Sequence, residues 1–359
     1  MGLRGAREAG RYVTLQRVLI TGGMGFLGTH LARTFLRHAG QVRLLDLETD
    51  RSGAIDRDVE CFAGDVRDPR AVAAAIDGVD VIVHAAFAAP RHSRATMHTV
   101  NVDGTRCVCE QALARRVRRL ILISSTIVTK PARVHPILRD AALSRLDTYR
   151  ASRAEAEKVA DAYRERGLQV AVVRPKTFIG PERVGAFAII FEWIRLGRPV
   201  LVLGSGRNHY QLLDTRDMAE GVRLLAASDA QGLFLFGARD FRTVRQDLQA
   251  LLDHAGTGAQ LRFVPGALAR CALRGAELAA IVPLSEWHYM SAAARDSVVD
   301  ISRAERELGW QPVRSNAQAL NEAYDWYVAS MRATGTARTT HPVPLVHRAL
   351  KGLCWILPR

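Results

Sequence analysis

Residues 18–28 read VLITGGMGFLG, and this run decides the fold of the first half of the chain. A short β-branched and leucine segment leads into glycines spaced as TGxxGxxG, and apolar residues at helical spacing follow. Glycines let backbone N–H groups approach a pyrophosphate, and a helix N-terminus adds a partial positive charge. The order of strand, turn and helix therefore predicts a dinucleotide site formed by Gly22, Gly25, Phe26, Leu27 and Gly28.

The next predicted strand, VRLLD at residues 42–46, ends in an acid. Asp46 lies 24 residues after Gly22, where an acid accepts hydrogen bonds from the adenosine ribose hydroxyls and repels a 2′-phosphate. This spacing predicts NAD rather than NADP as the cofactor. Arg51 follows closely and leaves NADP open, because a guanidinium can pair with that phosphate.

The composition is that of a globular protein with a positive surface. The chain has 359 residues, 48% of them apolar, and a net charge of +14. The arginine excess is spread along the chain, which is typical of a solvated surface, so we expect no nucleic-acid partner. Five cysteines without metal-ligand spacing predict no metal site, and we expect reduced thiols in a cytoplasmic protein. Residues 1–14 lack the apolar region of a secretory signal peptide.

Short apolar strands alternate with helical stretches through the first half of the chain. The strands are predicted at residues 17–21, 41–46, 58–62, 79–84, 119–124 and 169–173. This alternation predicts an α/β fold, a doubly wound parallel sheet of the Rossmann type. Its ligand crevice is expected at the carboxyl ends of the strands.

The pattern also suggests a division of the chain. We assign residues 15–175 to a dinucleotide-binding domain and expect a strand near 233–236 to rejoin its sheet. Residues 176–335 are predicted to form a smaller, mixed C-terminal substrate lobe interleaved with the first domain. It is expected to contain an amphipathic helix at 185–197 and an irregular loop and strand at 198–216. Residues 336–359 have the pattern of a basic amphipathic tail, which could dock on its own domain, on a partner subunit or on a membrane surface.

Further motifs occur in a fixed order from about residue 17 to 330. They are GDVRD at 64–68, VHAA at 83–86, NVDGT at 101–105, ISST at 123–126, VRP at 173–175 followed by GP at 180–181, DISRA at 300–304 and LGWQP at 308–312. In this order they resemble the extended short-chain dehydrogenase/reductase family, the NAD-dependent epimerases and dehydratases. The resemblance implies an enzyme that uses NAD and usually dimerises through two helices, here around 95–115 and 149–165.

The resemblance also implies roles for residues around the cofactor. Asp65 would accept a hydrogen bond from the adenine amino group, and Val66 would offer its backbone. Asn101 would tie together neighbouring sheet backbone. The resemblance also implies that three further residues lie beside the cofactor: Ala85, Ala86 and Ser124.

The resemblance identifies Tyr149 as the catalytic acid/base and Thr126 as the residue that orients the substrate hydroxyl. A free phenol has a pKa of about 10, so it exchanges protons near neutrality only beside a cation. The family supplies a lysine four residues after the tyrosine, whereas this chain has Arg153. Four helical residues turn about 400°, which places Arg153 beside Tyr149, where it would also hold the nicotinamide ribose. An arginine keeps the charge but passes no proton, so a degenerate site that binds NAD without turnover is the alternative.

Lys176 is a second departure from the family. Relatives usually have an aromatic or small residue at this position, which lies near the nicotinamide. We hypothesise that Lys176 donates to the substrate oxygen or acts as an auxiliary acid, and a surface ion pair is the alternative.

Two predicted substrate contacts differ from members that act on nucleotide sugars. Thr177 stands where these members often carry Asn, and Tyr210 where they place an Arg that clamps the diphosphate. Arg207 or Arg183 could still pair with a diphosphate. We therefore expect NAD-dependent oxidation of a carbinol of a (nucleotide-)sugar, with epimerisation, dehydration or decarboxylation to follow. The alternatives are a 3β-hydroxysteroid-dehydrogenase-like enzyme acting on a lipidic alcohol and a non-catalytic NAD-binding sensor or scaffold.

Overall fold

The computed structural model describes residues 15–49, 59–90, 92–129, 135–138, 141, 143, 147–185, 187–265 and 295–334. The predicted amphipathic tail and Arg51 lie outside these residues. In the part that is described, no helix is long and apolar enough to cross a bilayer.

The strands and helices alternate along the chain. The strands are β1 (Leu15–Thr21), β2 (Ala39–Asp46), β3 (Val59–Ala63), β4 (Val81–His84), β5 (Arg119–Ile123), β6 (Val170–Pro175), β7 (Thr177–Ile179), β8 (Val200–Leu203), β9 (Leu212–Asp214), β10 (Gly232–Phe236) and β11 (Leu261–Val264). The α-helices are α1 (Phe26–Phe35), α2 (Pro69–Ile76), α3 (Arg94–His98), α4 (Gly104–Ala114), α5 (Thr148–Glu165), α6 (Phe187–Arg195), α7 (Thr215–Ala227), α8 (Val244–Ala255), α9 (Ser302–Leu308) and α10 (Asn316–Thr334).

Seven strands form one parallel sheet in the order β10-β6-β5-β4-β1-β2-β3. This confirms the predicted doubly wound parallel sheet. The strand order reverses at β1 and β4, whose last residues Thr21 and His84 are partners in the register. A crevice for a ligand forms outside the carboxyl ends of strands at such a reversal.

Helices cover both faces of the sheet. Helices α1 and α7 contact each other on one face, whose apolar cluster includes the fully buried ring of Trp310. On the other face, helix α4 contacts both α2 and α5. A third cluster, formed mainly by α6, α8 and α10 with β8, makes the core of a smaller lobe that contains the two-stranded sheets β8–β11 and β7–β9.

The region after Pro175 is more regular than the sequence pattern indicates. An irregular loop and strand was expected at 198–216, and the structure has two strands there, β8 and β9. Helix α7 follows directly and was not predicted. Asp214 caps it by accepting a hydrogen bond from the backbone N–H of Arg216, and Met218 and Val222 are fully buried.

Candidate active site

The glycine turn after β1 leaves no space for side chains. Gly22 has a φ of +68°, and a Cβ there would lie 2.8 Å from the Cα of Ala86. A Cβ on Gly28 would lie 2.3 Å from the carbonyl oxygen of Gly22. Helix α1 starts at Phe26 after Gly25, which supplies no side-chain cap, so the first-turn N–H groups keep their capacity to bind an anion. A cradle that a Cβ would fill fits a bound pyrophosphate.

Asp46 points from the end of β2 towards this turn. Its Oδ2 accepts a hydrogen bond of 2.9 Å from the backbone N–H of Met24, and its Oδ1 accepts one of 2.8 Å from Leu47. A carboxylate has about four acceptor positions, so capacity is left for two ribose hydroxyls. The position fits the adenosine half of NAD.

Asp65 and Val66 follow the end of β3. The guanidinium of Arg67 grips both carboxylate oxygens of Asp65 at 2.9 and 2.5 Å and holds the pKa of this carboxyl below its usual value. Val66 is buried and lies where a Cβ on Gly104 would come within 2.8 Å of it. The adenine contacts of both residues stay predictions.

Asn101 is fully buried between the loop after β4 and helix α5. Its Oδ1 accepts from the backbone N–H of Ala88 at 2.7 Å, and its Nδ2 donates to Ser152 Oγ at 3.0 Å. The residue therefore joins the loop after β4 to helix α5, whereas the family resemblance implies a tie between neighbouring sheet backbone.

His84, at the end of β4, is a part of the site that the sequence reasoning missed. Its Nε2 lies 3.1 Å from Thr105 Oγ1, which donates to the carbonyl of Asn101, so Nε2 carries the proton. Its Nδ1 then accepts from Thr21 Oγ1 at 2.6 Å. Burial, reinforced by the charge of Arg153, lowers the pKa of His84 to about 3, and the ring stays neutral. The sequence signals for His84 were its place at the end of the apolar run VIVH and its membership of the VHAA motif at 83–86, to which no role for the histidine was attached.

Tyr149 and Arg153 lie on one face of α5. The helix starts at Thr148, after Asp147 caps it through the N–H of Arg150. The Arg153 Cζ lies 5.8 Å from the centroid of the Tyr149 ring. The side chain is only 5% exposed and donates from Nη2 to the carbonyl of Ile123 at 3.1 Å. A fixed positive charge thus lies beside the phenol at the carboxyl end of β5.

Three hydroxyl residues follow β5, and the family resemblance gives roles to two of them, Ser124 and Thr126. Thr126 opens a short 3-10 turn, and its Oγ1 donates to the carbonyl of Pro175 at 3.2 Å, which leaves the oxygen able to accept another hydrogen bond. Ser124 is buried, and its Oγ has no hydrogen-bond partner among the described residues. A buried hydroxyl of this kind, at the carboxyl end of a central strand, fits a polar group of the cofactor.

Lys176 follows Pro175 and is 3% exposed. Its Nζ donates to Ser297 Oγ at 2.5 Å and lies 4.8 Å from the centroid of the Tyr210 ring. The Tyr210 hydroxyl in turn lies 2.9 Å from Thr177 Oγ1. Burial lowers the pKa of Lys176 to about 7 and raises the pKa of Tyr210. We call Lys176, Thr177, Tyr210 and Ser297 the lysine cluster.

Lys176 therefore does not form the surface ion pair that was the alternative. Its side chain is buried, and no carboxylate of a described residue lies within ion-pair distance of its Nζ. The two candidate arginines have different surroundings. Arg207 is exposed in the turn after β8. The Arg183 guanidinium lies 5.3 Å from the Phe26 ring and 4.3 Å from the Phe178 ring, next to the start of α1.

The comparisons with known proteins agree with this geometry. Residues 18–234 match the model of the NAD dependent epimerase/dehydratase family. The uncharacterized protein y4nG of Sinorhizobium fredii is 30% identical over 348 residues, which cover 96% of this chain and 87% of that protein. A 3 beta-hydroxysteroid dehydrogenase/Delta 5-->4-isomerase of Mycobacterium tuberculosis is 25% identical and covers 95% of this chain and 100% of its own length.

A solved structure is also similar over most of the chain. It is a dTDP-glucose 4,6-dehydratase of Streptomyces venezuelae with NAD and TYD bound, 26% identical, with a TM-score of 0.68. The match covers 88% of this chain and 98% of that one. NAD, which the spacing of Asp46 predicts, is thus the cofactor named for both the matching family and this structure. Because the family model matches well over half of the residues, the chain belongs to the NAD-dependent epimerase/dehydratase family.

Proposed function

We propose that the protein is an oxidoreductase that removes a hydride from a carbinol of a sugar, with a nucleotide sugar as the favoured substrate. The observation that carries this proposal is the Arg153 guanidinium beside the Tyr149 ring, at the carboxyl edge of the sheet. A charge in this position stabilises a phenolate, and a phenolate is the base that such an oxidation needs.

The reaction divides between the cofactor and the side chains. Bound NAD supplies the hydride acceptor. Tyr149 takes the proton of the substrate hydroxyl while the carbon loses its hydride, so that a ketone results. Thr126 turns its hydroxyl from the Pro175 carbonyl to the substrate oxygen, donates a hydrogen bond to that oxygen and so holds the substrate hydroxyl towards Tyr149. Arg153 places a positive charge 5.8 Å from the centroid of the Tyr149 ring, although it cannot take up the proton itself.

Lys176 can exchange a proton with the substrate, which Arg153 cannot do. An amine whose pKa lies at about 7 can release and regain a proton at neutral pH. We assign to Lys176, at the neighbouring end of β6, the donation of a hydrogen bond to the substrate oxygen and, when the reaction runs in the reducing direction, of a proton to the ketone oxygen. The ketone makes the adjacent carbon acidic, and epimerisation, dehydration or decarboxylation would start there.

A second candidate is oxidation of a lipidic alcohol such as a 3β-hydroxysteroid. It is favoured by the similarity to the mycobacterial 3 beta-hydroxysteroid dehydrogenase over nearly the full chain. The neutral hydrogen bond between Tyr210 and Thr177, where nucleotide-sugar enzymes of the family place Arg and Asn, is consistent with an uncharged substrate. For this candidate, co-sedimentation with vesicles should depend on residues 342–359.

A substrate panel tests both candidates. Purified protein with NAD is incubated with UDP- and dTDP-hexoses and with 3β-hydroxysteroids, and nicotinamide absorbance and product NMR are recorded. We expect one class to reduce NAD or to be converted, and Tyr149→Phe to lower that rate at least about 100-fold. Conversion that survives in Tyr149→Phe would contradict the mechanism. NAD binding without conversion of any compound would favour the sensor or scaffold.

A further inference from the structure

The charge of Arg153 is closer to Phe87 than to the tyrosine it serves. Its Cζ lies 3.4 Å from the centroid of the Phe87 ring, against 5.8 Å for Tyr149. Phe87 is half-buried in the loop that follows β4. The guanidinium therefore lies on an aromatic face at the edge of the cofactor crevice.

This contact helps to explain why the chain can hold an arginine here. Arg153 is almost fully buried, and an isolated charge would be costly at such a position. A guanidinium is planar and weakly hydrated and stacks on aromatic faces, whereas an ammonium is compact and strongly hydrated. An aromatic residue below the charge thus suits arginine better than the lysine found in relatives.

Phe87 is itself held from both sides. Its neighbour Ala86 donates its N–H to Thr21 Oγ1 at 3.4 Å, and Ala88 donates to Asn101 Oδ1 at 2.7 Å. The Phe87 ring also lies 5.5 Å from the neutral His84 ring. The network that links β1, β4 and α5 therefore fixes the loop on both sides of Phe87.

We propose that Phe87 is a positioning residue, which orients Arg153 towards the nicotinamide ribose of NAD and makes arginine functional at this position. The proposal rests on the assignment of Arg153 within the proposed function. It requires no turnover, so failure of the substrate panel would leave it intact.

Calorimetric titration with two ligands tests the proposal. NAD contains the nicotinamide ribose, whereas ADP provides only the adenosine and the diphosphate. For Phe87→Leu we expect NAD binding to weaken about five- to thirty-fold, as the loss of a desolvated cation–π contact predicts, and ADP binding to stay the same. In the Arg153→Gln background, Phe87→Leu should add little further loss of NAD affinity.

Two further variants separate positioning from simple packing. Phe87→Tyr keeps the aromatic face and should retain NAD affinity. Phe263→Leu removes a ring that Arg245 covers at 5.1 Å in the other lobe, and it should leave both affinities unchanged. Equal weakening of NAD and ADP in Phe87→Leu, unaltered NAD binding, or additive effects with Arg153→Gln would each overturn the proposal. If Phe87→Leu does not fold, a loss of NAD affinity in folded Phe87→Tyr would overturn it.

Discussion

The Nζ of Lys176 and the Oγ of Ser297 lie 2.5 Å apart, although 121 positions separate the two residues in the chain. The contact joins the end of β6 to the segment before α9 and places an amine inside the protein without a carboxylate from any described residue. A buried amine of this kind is costly when it is charged. Lys176 is therefore a candidate proton donor, and it should also make the stability of the folded protein depend on pH.

The first prediction concerns stability. The pKa of Lys176 falls from 10.5 to about 7 on folding, so between these values the unfolded chain binds a proton that the folded chain does not. Burial of Lys176 therefore lowers the free energy of unfolding by its full amount below pH 7, and this destabilisation disappears as the pH rises from about 7 to 10.5. Lys176→Met should therefore gain stability relative to the native protein at about pH 6, by up to a few kcal/mol. Near pH 10 the gain should vanish.

Urea unfolding at several pH values measures this difference. Lys158→Met is the matched control, because Lys158 is half-exposed on α5 beside Glu155. Its substitution should change stability little and without this pH dependence. A Lys176→Met gain that is constant with pH would contradict the assignment of a lowered pKa.

The second prediction concerns turnover. If Lys176 donates to the substrate oxygen, Lys176→Met should lower kcat by roughly 10²- to 10⁴-fold once a substrate is known. Arg153→Lys restores the residue usual in relatives, but an ammonium loses part of the stacking on Phe87, so NAD affinity should fall. Steady-state kinetics of both variants provide the measurement. Unchanged turnover in Lys176→Met would remove this residue from the mechanism.

The third prediction concerns the glycine turn. Gly28 has an ordinary helical φ, so Gly28→Ala acts only through its Cβ, which would lie 2.3 Å from the Gly22 carbonyl. We expect about 1–3 kcal/mol of destabilisation and a loss of NAD affinity, because the cradle must open. Gly256→Ala is the control. Its φ is +60°, and nothing lies near its Cβ, so it should lower stability and leave NAD binding intact. Equal NAD affinity in Gly28→Ala and Gly256→Ala would contradict the assignment of the glycine turn as the pyrophosphate site.

The fourth prediction concerns cofactor choice. Asp46→Asn keeps an acceptor for the Met24 N–H but removes the charge that faces the ribose. The ratio of NAD to NADP affinity should fall by about tenfold or more, since the repulsion of a 2′-phosphate disappears. Calorimetric titration with each dinucleotide measures this ratio. A ratio equal to that of the native protein would assign the discrimination to other residues.

The sequence was most informative where function depends on neighbouring residues. The glycine spacing, the acid closing β2 and the four-residue step from Tyr149 to Arg153 are local patterns, and each defines geometry within one turn or one helix. Helix α7 escaped prediction because its start coincides with the end of the short strand β9. The periodicity of the strand hides that of the helix at this point.

The sequence by itself therefore determined the parallel sheet, the NAD cofactor and the family. Only the tertiary structure showed which groups surround the ionisable side chains of the site. In the folded protein Arg153 stacks on Phe87, and His84 forms hydrogen bonds with Thr21 and Thr105. Lys176 is buried and forms a hydrogen bond with Ser297. The physical reason is that periodicity reports which face of an element is apolar, whereas a pKa or a stacking contact depends on groups that only folding brings within a few ångströms.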